Sequence, residues 1–172
     1  MLAYLFVVLA VAVRLLPHPF SFTPVGASLL FFGARGPRKH AWIPVLLLAG
    51  SDVLLTRFQY GYPLTLDHLA TWAWYAAVIA LGTLLRDNAR PLRMVGASLA
   101  TAVSFFALSN FAVWSVWEMY PRNPGGLAAC YLAGIPFFRN ELVSDVLFTA
   151  VMFSIPALLQ VRKPAPVKVA AD

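Results

Sequence analysis

Charged and amide side chains are concentrated in one segment, residues 120–145, which lies between strongly apolar stretches of the chain. Charge is costly beside apolar segments, so this concentration indicates a functional use. The prolines and the glycine pair of the segment oppose one continuous helix and predict a short re-entrant or surface helix that turns back at Pro136. We expect the segment to form the rim and floor of an outward-facing pocket. Its polar residues are Arg122, Asn123, Arg139, Asn140, Glu141 and Asp145.

Two aspartates, Asp52 and Asp145, fall within predicted helices, and an ionisable group at such depth indicates a functional site. Glu141 and Asp145 are four residues apart on one helical face, so their carboxylates repel each other unless Arg139, Arg14 or a ligand cation compensates. The alternative is structural, because Arg14 is positioned to neutralise either aspartate. The sequence leaves both interpretations open.

Two predicted helices carry aromatic stripes that are interrupted by polar side chains at helical spacing. Such a stripe can hold a flat organic ligand by stacking while an amide or imidazole fixes its orientation. The alternative is an interfacial aromatic belt, which needs no ligand. We assign Asn110 and Trp114 to the pocket and Trp117, nearer the surface, to such a belt. The stripes consist of His68, Thr71, Trp72 and Tyr75, and of Phe106, Asn110, Trp114 and Trp117.

Motifs of known catalytic or nucleotide-binding mechanism are missing from the chain. It contains no P-loop, HExxH, GxSxG or CxxC pattern, and its single cysteine, Cys130, provides neither an internal disulfide nor a metal cluster by spacing. We therefore predict that the protein is not an enzyme. No catalytic residue, metal ligand or cofactor is assigned.

The composition is that of a polytopic membrane protein, with 60% hydrophobic residues, 12% charged residues and a mean hydropathy of +0.75. Residues 1–16 lack the basic start and the small-residue cleavage site of a signal peptide, so they are taken as a first helix. The predicted fold is an all-α bundle of six transmembrane helices. These cover residues 1–16, 20 or 24 to 34, 41–56, 67–85, 92–117 and 137–160, within one transmembrane domain, 1–161, followed by a flexible cytoplasmic tail, 162–172.

The net charge of +6 is distributed unevenly between the two ends of this predicted bundle. Six spans place nine basic residues on one side and four on the other, and the richer side is expected to be cytoplasmic. Both termini are then cytoplasmic, and the basic character is a topology signal instead of a nucleic-acid signal. The nine are Arg35, Arg38, Lys39, Arg86, Arg90, Arg93, Arg162, Lys163 and Lys168; the four are Arg14, Arg57, Arg122 and Arg139.

Two short sequences recur in the same order along the chain. Residues 25–29, VGASL, return at 95–99, and residues 51–56, SDVLLT, return at 144–149 as SDVLFT. The order favours a duplication of three helices plus three. Halves of three spans each would have inverted orientations in the membrane, as in several transporters.

Three segments, RLLPHPFSFTPVGASLLFFGA, LSNFAVW and YPRNPGGLAACYLAGIPFFRNELVSDVLF, resemble a family of small bacterial integral-membrane proteins of unknown function. That family is itself similar to the substrate-binding S components of energy-coupling factor (ECF) vitamin transporters. The resemblance implies an S-component-like six-helix bundle with an outward ligand pocket, in a bacterial inner (plasma) membrane. The first helix departs from S components, because Ala3, Ala10 and Ala12 do not form the alanine-every-four-residues stripe used for docking on a coupling protein.

These observations predict a membrane-embedded binding protein or transporter for a small, vitamin-like organic nutrient. The alternative is an accessory or structural subunit of a larger membrane complex. The expected partners are membrane lipid, a small-molecule ligand and, for the alternative, a membrane protein, with no nucleic acid. The predicted ligand-binding residues are Arg14, Asp52, His68, Trp72, Asn110, Trp114, Arg139, Asn140, Glu141 and Asp145.

Overall fold

Six α-helices form most of the part of the chain that this computed structural model describes, residues 1–17 and 21–161, and no strand occurs there. The all-helical fold class is therefore confirmed. The Phe20 start considered for the second helix and the tail, 162–172, lie outside the described residues. The helices are α1 (Leu2–Leu15), α2 (Val25–Arg35), α3 (Trp42–Leu54), α4 (Asp67–Thr83), α5 (Pro91–Val116) and α6 (Pro124–Val161), with a 3-10 turn, Arg38–His40, before α3 and a π-helical turn, Leu55–Gln59, after it.

The sixth helix corrects the prediction of a separate re-entrant or surface helix before the last span. α6 runs without interruption for 38 residues and contains Pro136 in its interior. A proline removes one backbone donor, but a helix can continue through it where neighbouring helices support both sides. Here α5 packs along α6, and before the proline the Tyr131 hydroxyl donates to the Ala107 carbonyl of α5 at 2.6 Å. At about 1.5 Å per residue, α6 is about 57 Å long, more than the about 30 Å of a hydrocarbon core.

The second helix is the centre of the core. Every residue of α2 from Val25 to Ala34 is buried, and α2 packs against α1, α4, α5 and α6. At about 1.5 Å per residue its 11 residues cover about 17 Å, less than the about 30 Å of a hydrocarbon core, and its apolar side chains contact protein on all sides. This short helix is therefore covered by protein inside the bundle.

Two helical segments, Arg38–Gln59 and Pro91–Val116, are long and apolar enough to cross a membrane. Only 17% of the most apolar stretch of the second segment is buried in the protein. Large apolar side chains are also exposed on α1, α3 and α6, among them Leu9, Leu46 and Leu147. The structure thus contains two helices capable of spanning a membrane, and the count of six spans stays a prediction.

Two contacts define the ends of the bundle. The Arg86 guanidinium, beyond α4, donates from Nη2 to the carbonyls of Gly33 and Gly36 at 2.8 Å, so the C-terminal ends of α2 and α4 lie together. At the other end, the rings of Tyr62 and Trp117 are 5.9 Å apart, which joins the α3–α4 and α5–α6 connections. The basic loops around Arg38 and Arg86 therefore share one end of the bundle.

This arrangement makes the predicted sidedness testable by chemical labelling. Lys39 and Met119 are exposed and lie at opposite ends of the bundle. In intact cells, Lys39→Cys should react only with membrane-permeant thiol reagents, whereas Met119→Cys should react with impermeant reagents as well. Cys130 is buried, and its replacement by alanine gives the background strain. The reverse labelling pattern would contradict the positive-inside assignment.

Candidate functional site

An ion pair between Arg14 and Asp52 joins α1 to α3 near the end of α1. Trp72 Nε1 donates to Asp52 Oδ2 at 3.0 Å, and the Tyr75 hydroxyl donates to the same oxygen at 3.0 Å. Arg14 Nη1 also donates to Ser51 Oγ at 3.1 Å and to the Tyr75 hydroxyl at 3.2 Å. We call these five residues the Arg14 network. Its hydrogen bonds satisfy a largely buried pair of charges and connect α1, α3 and α4.

The second aspartate, Asp145, belongs to α6, and its side chain lies beside the N-terminus of α2. It is 2% exposed, and its carboxylate accepts a hydrogen bond from the backbone N–H of Ala27. Beside it, Ser144 Oγ donates to the Thr23 carbonyl at 3.3 Å. A carboxylate is favourable at this end of a helix, because the first backbone N–H groups have no helical acceptor. Asp145 Oδ2, however, has no hydrogen-bond partner among the described residues.

Gly26 makes the approach of the Asp145 carboxylate possible. A Cβ atom at this position would overlap both carboxylate oxygens of Asp145 and the Thr101 methyl group of α5. Glycine therefore allows α2, α5 and α6 to meet at one point. Gly26 and Asp145 both line a cavity at this point.

We call this cavity, of about 190 Å³, the acidic cavity, because both Glu141 and Asp145 line it. Glu141 is half-buried and lies one helical turn before Asp145 on α6. Other lining residues come from four further helices: Arg14 from α1, Gly26 from α2, Trp74 and Tyr75 from α4, and Phe105 from α5. The cavity thus has two carboxylates on one side and aromatic rings on another.

A second cavity, of about 170 Å³, adjoins the first between α5 and α6. We call it the aromatic cavity, since four of its lining residues are phenylalanines. Ser21, Phe105 and Glu141 line both cavities, so they form the boundary between the two. Ser21 has a φ of 57°, a left-handed conformation that is unfavourable for a serine and indicates local strain at this boundary. The phenylalanines are Phe105, Phe106, Phe137 and Phe138.

A comparison with known protein families identifies the family of this chain. Residues 1–167 match the Family of unknown function (DUF6580). The chain belongs to this family. No curated protein and no solved structure matches the chain. The match includes every residue of both cavities, but the family has no assigned activity, so the function of this DUF6580 protein has to be argued from its site.

Four of the ten predicted site residues line the two cavities. Arg14, Glu141 and Asp145 line the acidic cavity, and Asn110 lines the aromatic cavity. Asp52 is bonded to Arg14 and is not a lining residue. Arg14 is thus paired with Asp52, whereas Asp145 has a different environment.

The other five predicted residues lie elsewhere. Trp72 belongs to the Arg14 network, and His68 Nε2 is 3.0 Å from Thr56 Oγ1 at the start of α4. Trp114 Nε1 donates to the Pro121 carbonyl at 3.0 Å, so its indole stabilises the α5–α6 connection. Arg139 and Asn140 are exposed on α6. Neither is among the lining residues of the two cavities, and their location over the pocket stays a prediction.

Sequence reasoning missed Gly26, Trp74 and Phe105 as site residues. Trp74 and Phe105 fall off the aromatic stripes, and their rings are 4.7 Å apart in the core beside the acidic cavity. The recurring VGASL sequence was the available signal for Gly26, because its glycine stands where α2 meets Asp145. No comparable signal exists for the two aromatic residues.

Proposed function

We propose that this protein is a membrane-embedded binding protein and transporter for a small organic nutrient, with the acidic and aromatic cavities as its binding site. The observation that carries the proposal is that Asp145 lines a cavity and its Oδ2 has no hydrogen-bond partner among the described residues. A buried polar atom without a partner costs free energy, so its persistence in a cavity wall favours a role in binding something from outside.

The membrane location is supported by the exposed apolar surface. α5 exposes Val95, Leu99, Val103 and Phe111 along its length, and such a surface on a soluble protein would drive association. Lipid chains satisfy it without a protein partner. Six spans in a bacterial inner membrane, with both termini in the cytoplasm, agree with the location of the basic loops at one end of the bundle.

A ligand route toward the outer side is supported by the position of the acidic cavity. The cavity lies where α1 ends and α2 begins, and Tyr60, from the loop after α3, also lines it. That loop belongs to the end of the bundle opposite Arg86. The predicted likeness to S components, whose pockets also face outward, agrees with this position at the level of architecture alone.

A ligand screen on the purified full chain tests the proposal. Vitamins and small metabolites are added to protein in nanodiscs, and unfolding is followed by intrinsic fluorescence. A ligand at about a hundredfold excess over its Kd should stabilise the folded state by about 2.7 kcal/mol. Phe105→Leu, at the boundary of the two cavities, should weaken that ligand by up to about tenfold through lost aromatic contact.

Phe111→Leu is the matched control, because Phe111 is exposed on the same helix and lines neither cavity. Trp114→Ala should also keep ligand stabilisation, since its indole binds the α5–α6 connection. If no compound stabilises the wild type, and the Phe105 variant instead loses a co-purifying membrane protein, the accessory-subunit alternative replaces this proposal.

A further inference from the structure

We infer that the ligand is an organic cation, whose ammonium or guanidinium group binds Glu141 and Asp145 and whose apolar body occupies the aromatic cavity. The inference rests on the proposed function and specifies the ligand class of that same site. Three observations support it: the charge balance of the acidic cavity, the contrast between two copies of one sequence, and the distribution of aromatic rings.

The first observation is the charge balance of the acidic cavity. Two ion pairs occur among the described residues, Arg14–Asp52 and His68–Asp67, and neither includes Glu141 or Asp145. Arg14 lines the acidic cavity, but its guanidinium is already bonded to Asp52. The N-terminus of α2 offers Asp145 a partial positive charge of about 0.5. Among the described residues, no side-chain cation is therefore bonded to either of the two carboxyl groups that line the cavity.

The sequence SDVL, present at residues 51–54 and 144–147, shows what a buried aspartate in this chain requires. In the first copy, Asp52 is bonded by a guanidinium, an indole N–H and a phenol hydroxyl. In the second copy, Asp145 is as deeply buried, yet Oδ2 has no partner among the described residues. A guanidinium or ammonium group from a ligand would give Asp145 what Arg14 gives Asp52.

The lining favours an organic cation over a metal ion. No group of three or more His, Cys, Asp or Glu residues that could hold a metal occurs in the described part of the chain. The acidic cavity instead has Trp74, Tyr75 and Phe105 in its wall, and the faces of such rings attract ammonium and guanidinium groups. Because Glu141 lines both cavities, a cationic head beside it leaves the adjoining aromatic cavity for an apolar body.

The test uses the full chain in nanodiscs of zwitterionic lipid, which do not concentrate cations at their surface. The probes are 2-phenylethylamine, tryptamine and benzamidine, with 3-phenylpropionate as the matched anion and 2-phenylethanol as the matched neutral compound. We expect stabilisation by at least one cation and none by the anion or the alcohol. Glu141→Gln and Asp145→Asn should each weaken the binding of that cation about tenfold or more.

Glu118→Gln is the matched control, since Glu118 is exposed and lines neither cavity, and it should leave binding unchanged. Glu141→Gln keeps the test decisive where Asp145→Asn disturbs the N-terminus of α2. Equal stabilisation by the alcohol, or cation binding that survives both substitutions, overturns the inference. A neutral or anionic nutrient found in the broader screen also overturns it while leaving the proposed function intact, and the absence of any ligand overturns both.

Discussion

Replacing Arg14 with alanine should destabilise the protein by about 3 kcal/mol, because it leaves the buried carboxylate of Asp52 without its cation. The side chains of the pair are 17% and 8% exposed, so water cannot easily take the place of the guanidinium. The measurement is the free energy of unfolding of the purified protein in mixed micelles. A loss below about 0.5 kcal/mol would show that the network is not a source of stability.

A double-mutant cycle separates the ion pair from the rest of the network. Arg14→Ala should cost less in an Asp52→Asn background, with a coupling of about 1–2 kcal/mol, which is the upper range for polar contacts between membrane helices. The matched cycle pairs Arg14→Ala with Asp145→Asn, whose carboxylate is bonded to α2 instead. That cycle should be additive within about 0.5 kcal/mol. Equal coupling to both aspartates would contradict the assignment of Arg14 to Asp52.

Gly33→Ala should lower the free energy of unfolding by about 3 kcal/mol, because it forces apart the two central helices of the bundle. A Cβ atom at Gly33 would overlap the Ile79 carbonyl of α4 and lie 2.9 Å from Gly82 Cα. Gly82 approaches the Leu30 backbone of α2 equally closely. Both obstacles are backbone atoms, so a change of side-chain rotamer cannot relieve the overlap.

Gly50→Ala is the matched control for this crossing. Gly50 lies inside α3, and a Cβ atom there would meet nothing within 4 Å. Alanine should therefore be neutral or stabilise the protein by up to about 1 kcal/mol through helix propensity. If both substitutions cost the same, the effect of Gly33→Ala would not come from the close approach of α2 and α4.

The helices were largely predictable because apolar runs and punctuating residues mark them in the sequence. Pro91, for example, begins α5 at the first helical position, where its fixed φ suits the helix. The break predicted at Pro136 is wrong, because the local cost of a proline in a helix does not include the packing of α5 along α6. Tertiary packing decided whether that proline ended the helix.

The site was predictable where a charge stood out against apolar surroundings. Arg14, Asp52, Glu141 and Asp145 were identified in this way, because burying charge in an apolar chain demands a partner. The carboxylate that pairs with Arg14 is decided by the packing of α1, α3 and α6. Residue spacing does not predict that packing. The break expected at Pro136 also left the helical phase of residues 139 and 140 relative to Glu141 undetermined in the sequence.

The burial of α2 on all sides has a consequence for how bilayer thickness would act on this protein. Hydrophobic mismatch acts on helices whose apolar surface meets lipid, so a thinner or thicker membrane would tilt α5 and leave α2 untouched. Thr101 on α5 lies against Gly26 at the N-terminus of α2, beside the Asp145 carboxylate. In the proposed membrane location, a change of lipid chain length would reach the acidic cavity through α5, which contributes Phe105 to the cavity wall and places Thr101 beside Gly26.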